Sequence, residues 1–508
     1  MAYLSDYLGG GKTLQGKAGA TAINANDLLA LNAAGQLSTV SVSDCAAVAN
    51  AGSAVIAPTT INSYGQSENF YSNPFVNPSD GSIFVGAPYL PSSYGVQISK
   101  YTASGALTAQ IILSSAAAVP SNISITELTN GNLMVAWSLG GTSVYFAIIG
   151  VGLNIITAAT LVSSAANYGP APIALPGGGF ALAYMTSTGV YFAVYSNSGS
   201  VVYAPALISG STTTSASVIA MAVLSNGNIV VATLSGGVTN CLKYCIVTTA
   251  GASVVATTTL DANTGPSTTN IIITNLAVSA LATGYFCVAG YDTTNGYVAY
   301  VLNNAGSIQG TPFLSGEIGA YGMGVFNDSS NFWLVCSNEN YGLIVGLPPS
   351  GSGYIATAIP SLGVINSVYA NGYIVIYSFV LTPAANILVY KLSSTLLGSL
   401  SSSFSSGIIS EVPTLALGTD YTIAILQGLS STAFSTIKYA STAIVGISQT
   451  TVAAGNAGAI VNYSMGSGGY PCNPVGGTVG KGFDHSATNI IGNKGTILGN
   501  SAALQGIV

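Results

Sequence analysis

The chain has 508 residues, a net charge of −6 and only 4% charged residues, against about 25% in an average soluble domain. Its eight basic residues are all Lys, which excludes both the basic stripe that nucleic acid needs and the Arg fork that usually grips a carboxylate or phosphate. Mean hydropathy is +0.58, yet no run of about 18 apolar residues is free of Gly, Asn, Ser or Thr, so no membrane insertion is expected and hydroxyls and amides must keep the surface wet.

Residues 1–60 open the chain as MAYLSDYLGGGKTLQGKAGATAINANDLLALNAAGQL and onward, rich in small residues. Neither a basic n-region nor an apolar h-region stands at the start, so no secretory signal is expected. A short helix is expected around Ala25–Leu31. The GGGKT at 9–13 lacks the Gly that a phosphate loop needs four residues before its Gly-Lys pair, where Asp6 stands instead. This segment resembles the N-terminal attachment segments of tailed-phage virion proteins. The resemblance implies an arm that docks on other virion proteins.

From residue 61 to 445 one pattern recurs: turn, apolar run, turn, apolar run. The second apolar run of each unit reads GSIFVGA (81), GNLMVAWS (131), GGFALAYM (178), GNIVVATL (227), GYFCVAG (284), NFWLVCS (331), GYIVIYS (372) and DYTIAIL (420). The starts lie about 41 to 57 residues apart. The turns before them (TNG, SNG, ANG, SDG and relatives) carry the strongest short hairpin signals, because type I′ turns need positive φ at both central residues. Third strands follow, such as VYFAIIG (144), VYFAVYSNSG (190) and CLKYCIVTTAG (241). A weaker fourth strand, such as SVVYAPALI, comes next, and an alternating first strand such as ISITEL (123–128) precedes each turn. Four short strands per unit of 40 to 50 residues specify a β-propeller blade. The fold class is therefore all-β, one large propeller of about eight four-stranded blades, with seven as the alternative. Strands covered on both faces by neighbouring blades need not alternate, so NLMVAW can be apolar throughout.

The units 175–202 (LPGGGFALAYMTSTGVYFAVYSNSGSVV) and 128–150 resemble the blade repeats of large bacterial RTX-type surface adhesins, and in style those of kelch-like propellers. The chain lacks the acidic residues of RTX calcium repeats and the Arg often found in the third strand. Lys100, Lys243, Lys391 and Lys438 sit in or near that place, where an aliphatic stem covers the strand below. Residues 446–508 are Gly-rich and could close the ring with a late strand or pack on a neighbouring subunit.

Chemistry finds few candidates. His485, the sole His, lies in a turn-like FDHSATN, and no nucleophile elbow is present. Glycoside hydrolysis needs two facing carboxylates, but Asp80, Asp328 and Asp420 fall in turns before second strands, while Glu127 and Glu411 fall at first strands. Cys45, Cys241, Cys245, Cys287, Cys336 and Cys472 are irregularly spaced. Cys241 and Cys245, four apart on a strand, are about 13 Å apart, beyond disulfide reach. Six free, mostly buried thiols are expected, with no metal, no cofactor and no enzymatic activity. Trp137, Tyr145, Tyr184, Tyr191, Tyr297 and Tyr377 are the candidate glycan contacts, since flat rings on a hydroxyl-rich surface stack on sugars. The competing role for these rings is packing between blades.

The expected function is that of a structural virion protein of a tailed bacteriophage: a fibre, spike or tail component. It would be a homo-oligomer, with residues 1–60 and 446–508 contacting other virion proteins and the propeller available to a host receptor or glycan. The alternative is a bacterial surface adhesin module, and behind it a glycan-active propeller enzyme.

Overall fold

The computed structural model describes residues 75–359 with short interruptions. Outside that span it describes the strands named below and, of their side chains, only Ser367, Ile374 and Ile376. No helix occurs among the described residues. Near the N-terminus lie β1 (Thr13–Lys17), β2 (Leu28–Leu31), β3 (Leu37–Thr39) and β4 (Ile56–Asn62). Four-stranded sheets then succeed one another in chain order. The first is β5 (Phe75–Val76), β6 (Ile83–Tyr89), β7 (Gly95–Tyr101) and β8 (Leu107–Ser114). The second is β9 (Pro120–Glu127), β10 (Leu133–Leu139), β11 (Ser143–Ile149) and β12 (Ile155–Ser163). The third is β13 (Ala166–Ala174), β14 (Phe180–Thr186), β15 (Gly189–Tyr195) and β16 (Val201–Leu207). The fourth is β17 (Val218–Val223), β18 (Ile229–Ser235), β19 (Cys241–Val247) and β20 (Ser253–Asp261). The fifth is β21 (Leu276–Ala280), β22 (Tyr285–Asp292), β23 (Gly296–Asn303) and β24 (Phe313–Leu314). The sixth is β25 (Gly322–Asn327), β26 (Phe332–Ser337), β27 (Gly342–Leu347) and β28 (Ile355–Ile359). The seventh is β29 (Val364–Ala370), β30 (Tyr373–Phe379), β31 (Ala385–Lys391) and β32 (Thr395–Ser402).

The next sheet is put together differently. β33 (Thr414–Leu417), β34 (Thr422–Gly428) and β35 (Thr432–Lys438) pair in sequence, and β4 supplies the outer strand beside β35. The ring is thus completed by an N-terminal strand. First strands lie side by side from β9 through β13, β17, β21, β25 and β29 to β33, and β33 meets β5. This succession returns on itself: the fold is a β-propeller.

Two terminal expectations need correction. Where a helix was expected around Ala25–Leu31, β2 occupies Leu28–Leu31 and pairs with β3 and with β36 (Ile444–Ser448). The late strands do not supply the missing outer strand of the last blade. Instead β36 and β37 (Ala457–Asn462) join the N-terminal strands in a sheet of order β1-β37-β36-β2-β3. The last strands, β38 (Tyr470–Cys472), β39 (Gly482–Asp484), β40 (Lys494–Leu498) and β41 (Ser501–Gln505), form a sheet of their own.

Local chemistry explains the repeat. The turn from β9 to β10 is closed by Leu128 N–H to Asn132 O (2.8 Å) and Gly131 N–H to Leu128 O (2.9 Å). Leu224–Asn228 and Leu281–Tyr285 close the same way. Only Gly131 has positive φ here, at 79°, while Asn130 does not. The loop is therefore the three-residue kind, with one left-handed residue, rather than type I′. Its Asn acts through the side chain instead, Asn130 Oδ1 accepting the Asn132 N–H.

Burial then follows strand position. β10 and β14 are buried along their whole length, because a blade covers each face. Outer strands such as β12 and β16 alternate between half-buried and exposed. The cores lie between sheets. Phe146 of the second sheet meets Phe180 and Tyr195 of the third, at 5.1 Å and 4.8 Å between ring centroids. Fully burying one such ring stabilises by about 1.5–3 kcal/mol.

Candidate functional site

The predicted aromatic residues meet in cross-strand pairs at one end of their blades. Residues directly opposite on antiparallel strands share a face. β10 places Trp137 opposite Tyr145 of β11, and the rings stack at 5.9 Å with 10° between planes. β14 places Tyr184 opposite Tyr191 of β15, stacked at 5.6 Å and 15°. Both pairs lie beside the turn from second to third strand, so two neighbouring blades carry the same feature.

Exposure divides the six residues. Trp137, Tyr184 and Tyr297 are buried, so their rings pack between blades and present no open face. The Trp137 indole N–H is likewise buried, with no acceptor among the described residues. Burial raises the Tyr184 phenol above its ordinary pKa. Tyr297 ties two sheets: its hydroxyl donates to Ser337 O, accepts the Gly322 N–H at 3.2 Å, and its ring meets Tyr291 edge-on. Tyr145 and Tyr191 are half-buried and keep an outward edge. Tyr377 lies on β30 opposite Ile387; its side chain is outside the described residues.

The structure adds two residues that the sequence pattern did not single out. Leu161 of β12 lies opposite Tyr145, and Leu207 of β16 lies opposite Tyr191. They are 50% and 48% exposed. Each blade thus runs from a buried ring through a half-buried Tyr to an exposed Leu. Hydroxyls border the third-blade example, where Thr186 and Thr188 lie 2.7 Å apart across the turn. The uncharged, apolar-rich sequences of β12 (IITAATLVS) and β16 (VVYAPAL) were the available signal for these leucines.

Asp80 and Asp328 serve turns, as their positions predicted. Asp80 accepts from Ser82 N–H and Oγ–H at 2.9 and 2.6 Å and lies 3.9 Å from Lys100 Nζ. Partial burial raises its pKa, but the Ser82 bonds and the Lys100 charge outweigh that and hold the carboxyl below its ordinary value. Asp328 accepts from Ser330 N–H, Asn331 N–H and Trp333 Nε1–H, bonds that likewise outweigh burial and lower its pKa. Lys100 rests over the Phe84 ring at 5.4 Å and donates to Val151 O at 2.9 Å. Lys243 is half-buried on β19 opposite Thr233. Cys245, Cys287 and Cys336 are free and buried. Among the described residues, no group of three or more His, Cys, Asp or Glu could hold a metal ion. His485, Glu411, Asp420 and Cys45, like the side chains of Lys391, Lys438, Cys241 and Cys472, lie outside the described residues.

No protein-family model matches the sequence, and no curated protein matches it. Solved structures do resemble it. BamB from Moraxella catarrhalis is 12% identical with a TM-score of 0.44, covering 75% of this chain and 98% of that one. The Dos1 propeller is 11% identical with a TM-score of 0.48, covering 75% and 95%. Sqt1 from Saccharomyces cerevisiae is 11% identical with a TM-score of 0.48, covering 75% and 98%.

Proposed function

We propose that this chain is a structural virion protein of a tailed bacteriophage, a propeller held to the particle by its terminal segments. The observation that carries the reading is the shared sheet β1-β37-β36-β2-β3, which gathers segments from before and after the blades into one unit separate from the blade sheets. A ring whose two ends are bound together has one place of attachment and leaves its blades free. The low charge of the chain and the resemblance of residues 1–60 to attachment segments support the same reading. The half-buried Tyr145 and Tyr191, each beside an exposed Leu, support a neutral glycan of the host surface as the propeller's ligand, since such rings stack on sugars and need no counter-charge. The blade repeats also support a bacterial surface adhesin, which would stand on cells that carry no phage.

Deleting residues 1–40 tests the attachment. The deletion removes β1, β2 and β3 but keeps β4. The expected result is a soluble, folded propeller that no longer enters the particle. Normal incorporation of the truncated chain contradicts the reading.

A further inference from the structure

The third strands differ between blades at one position. Their third residue is Gln97 on β7, Tyr145 on β11, Tyr191 on β15 and Lys243 on β19, and all four are half-buried. On β23 and β27 the same position holds Val298 and Ile344, both fully buried. Blades one to four therefore carry, one blade after the next, a large side chain with an apolar body and a polar tip, the kind that packs its body and keeps its tip in water. Blades five and six end the series with an aliphatic core residue. The partner opposite each member on the fourth strand is outward as well. Ile112 and Thr259, like Leu161 and Leu207, are exposed. The row lies at the end of each blade where the second strand turns into the third, away from the Lys100–Asp80 ion pair at the other end.

The three neutral members, Gln97, Tyr145 and Tyr191, stand on consecutive blades and are held in place. The Gln97 amide donates to Ser99 Oγ at 3.2 Å, and the two Tyr rings rest on Trp137 and Tyr184. Side chains fixed in this way lose little freedom when they bind. Along the row a ligand meets an amide and then two phenol edges, each beside an exposed Leu. The ring edges and leucines offer apolar contact, while the amide and phenol tips offer hydrogen bonds. A sugar chain presents the matching mixture, apolar C–H faces bordered by hydroxyls. Packed sheets lie about 10 Å apart, so a sugar seated at Tyr145 does not reach Tyr191. Only a chain of several units bridges the two.

We propose that Gln97, Tyr145 and Tyr191 form one track across blades one to three that takes a linear neutral polysaccharide lengthwise, not a single terminal sugar. The track rests on the glycan reading given above and adds to it that the ligand is a polymer held by more than one blade at once.

The test uses the full chain and four immobilised polymers, dextran, mannan, galactan and β-glucan, followed by an oligomer ladder of whichever polymer binds. Wild type is expected to bind at least one polymer, with affinity rising about tenfold or more from the shortest oligomer that binds to one that spans two blades. Tyr145→Ala and Tyr191→Ala are each expected to bind the long oligomer no more tightly than the short one, and the double variant to bind neither. Gln97→Ala is expected to weaken only the longest oligomers. Leu161→Asp and Leu207→Asp, at exposed side chains, act on the same two blades and are expected to repeat the Tyr results, which keeps the test readable should a Tyr variant fail to fold. Tyr354→Ala removes an exposed ring just before β28, at the other end of its blade, and is expected to bind like wild type. Affinity that does not rise with length overturns the track and leaves the reading of a single-sugar site standing. Binding that no change on blades two and three affects overturns the placement of both. No binding to any of the four polymers overturns the glycan reading itself, and the track with it.

Discussion

Tyr195 shows what burial between blades does to a single side chain. It packs on Phe180 at 5.1 Å and on Phe146, and that burial, with a smaller contribution from Tyr184, raises its pKa from 10.0 to about 12. Burial likewise raises Cys245 and Cys287 from 9.0 to about 12. The sign follows from linkage. Below pH 9 these groups are neutral in both folded and unfolded chains, and their contribution to stability is complete. As pH rises through 9 and 10 the unfolded chain releases protons that the fold retains, so stability falls until about pH 12. Urea midpoints measured from pH 8 to 11 should therefore decline, and Tyr195→Phe should decline less steeply. A flat profile, or a steeper one in the variant, contradicts this account. The aromatic positions themselves could be read from the sequence, since Trp137, Tyr145, Tyr184 and Tyr191 sit at matched places in repeated strands. Their exposure could not, because strand periodicity assigns a face but not the depth of the neighbouring blade that covers it.

At the scale of elements, legibility tracked the range of the pairing. The second strands quoted from the sequence fall on β6, β10, β14, β18, β22, β26, β30 and β34, each announced by a turn of its own. β2 and β4 carried no such signal. DLLAL has the spacing of a helical turn, and β2 is held as a strand between β3 and β36, the latter over 400 residues away. β4 contains Pro58 and completes a sheet with β35, some 370 residues on. Non-local pairs of this kind leave no local pattern. The ring closure makes a prediction at this scale. Deleting residues 1–40 should leave the melting temperature within a few degrees of wild type. Deleting 1–62 removes β4, exposes the β35 edge and should broaden or lower the transition clearly. A synthetic peptide with the sequence of residues 56–62 should restore part of the loss by strand addition. Equal melting curves for the two deletions would show that β4 does not close the ring.

The whole molecule combines a repeated fold with very little charge. Its blades fold from local hairpins, its ring is fastened by one strand from the other end of the chain, and strands from before and after the blades meet in a sheet of their own. We read the succession of sheets as eight blades, the count given by the eight second strands. This arrangement suits the proposed virion part, whose terminal sheet attaches and whose blades face outward. Cryo-electron microscopy of the purified particle tests that account most directly. The predicted map shows a propeller ring, with the sheet of residues 13–39 and 444–462 against the particle body. A map of the particle without this ring, or one in which the blades are embedded and the terminal sheet points into solvent, contradicts it.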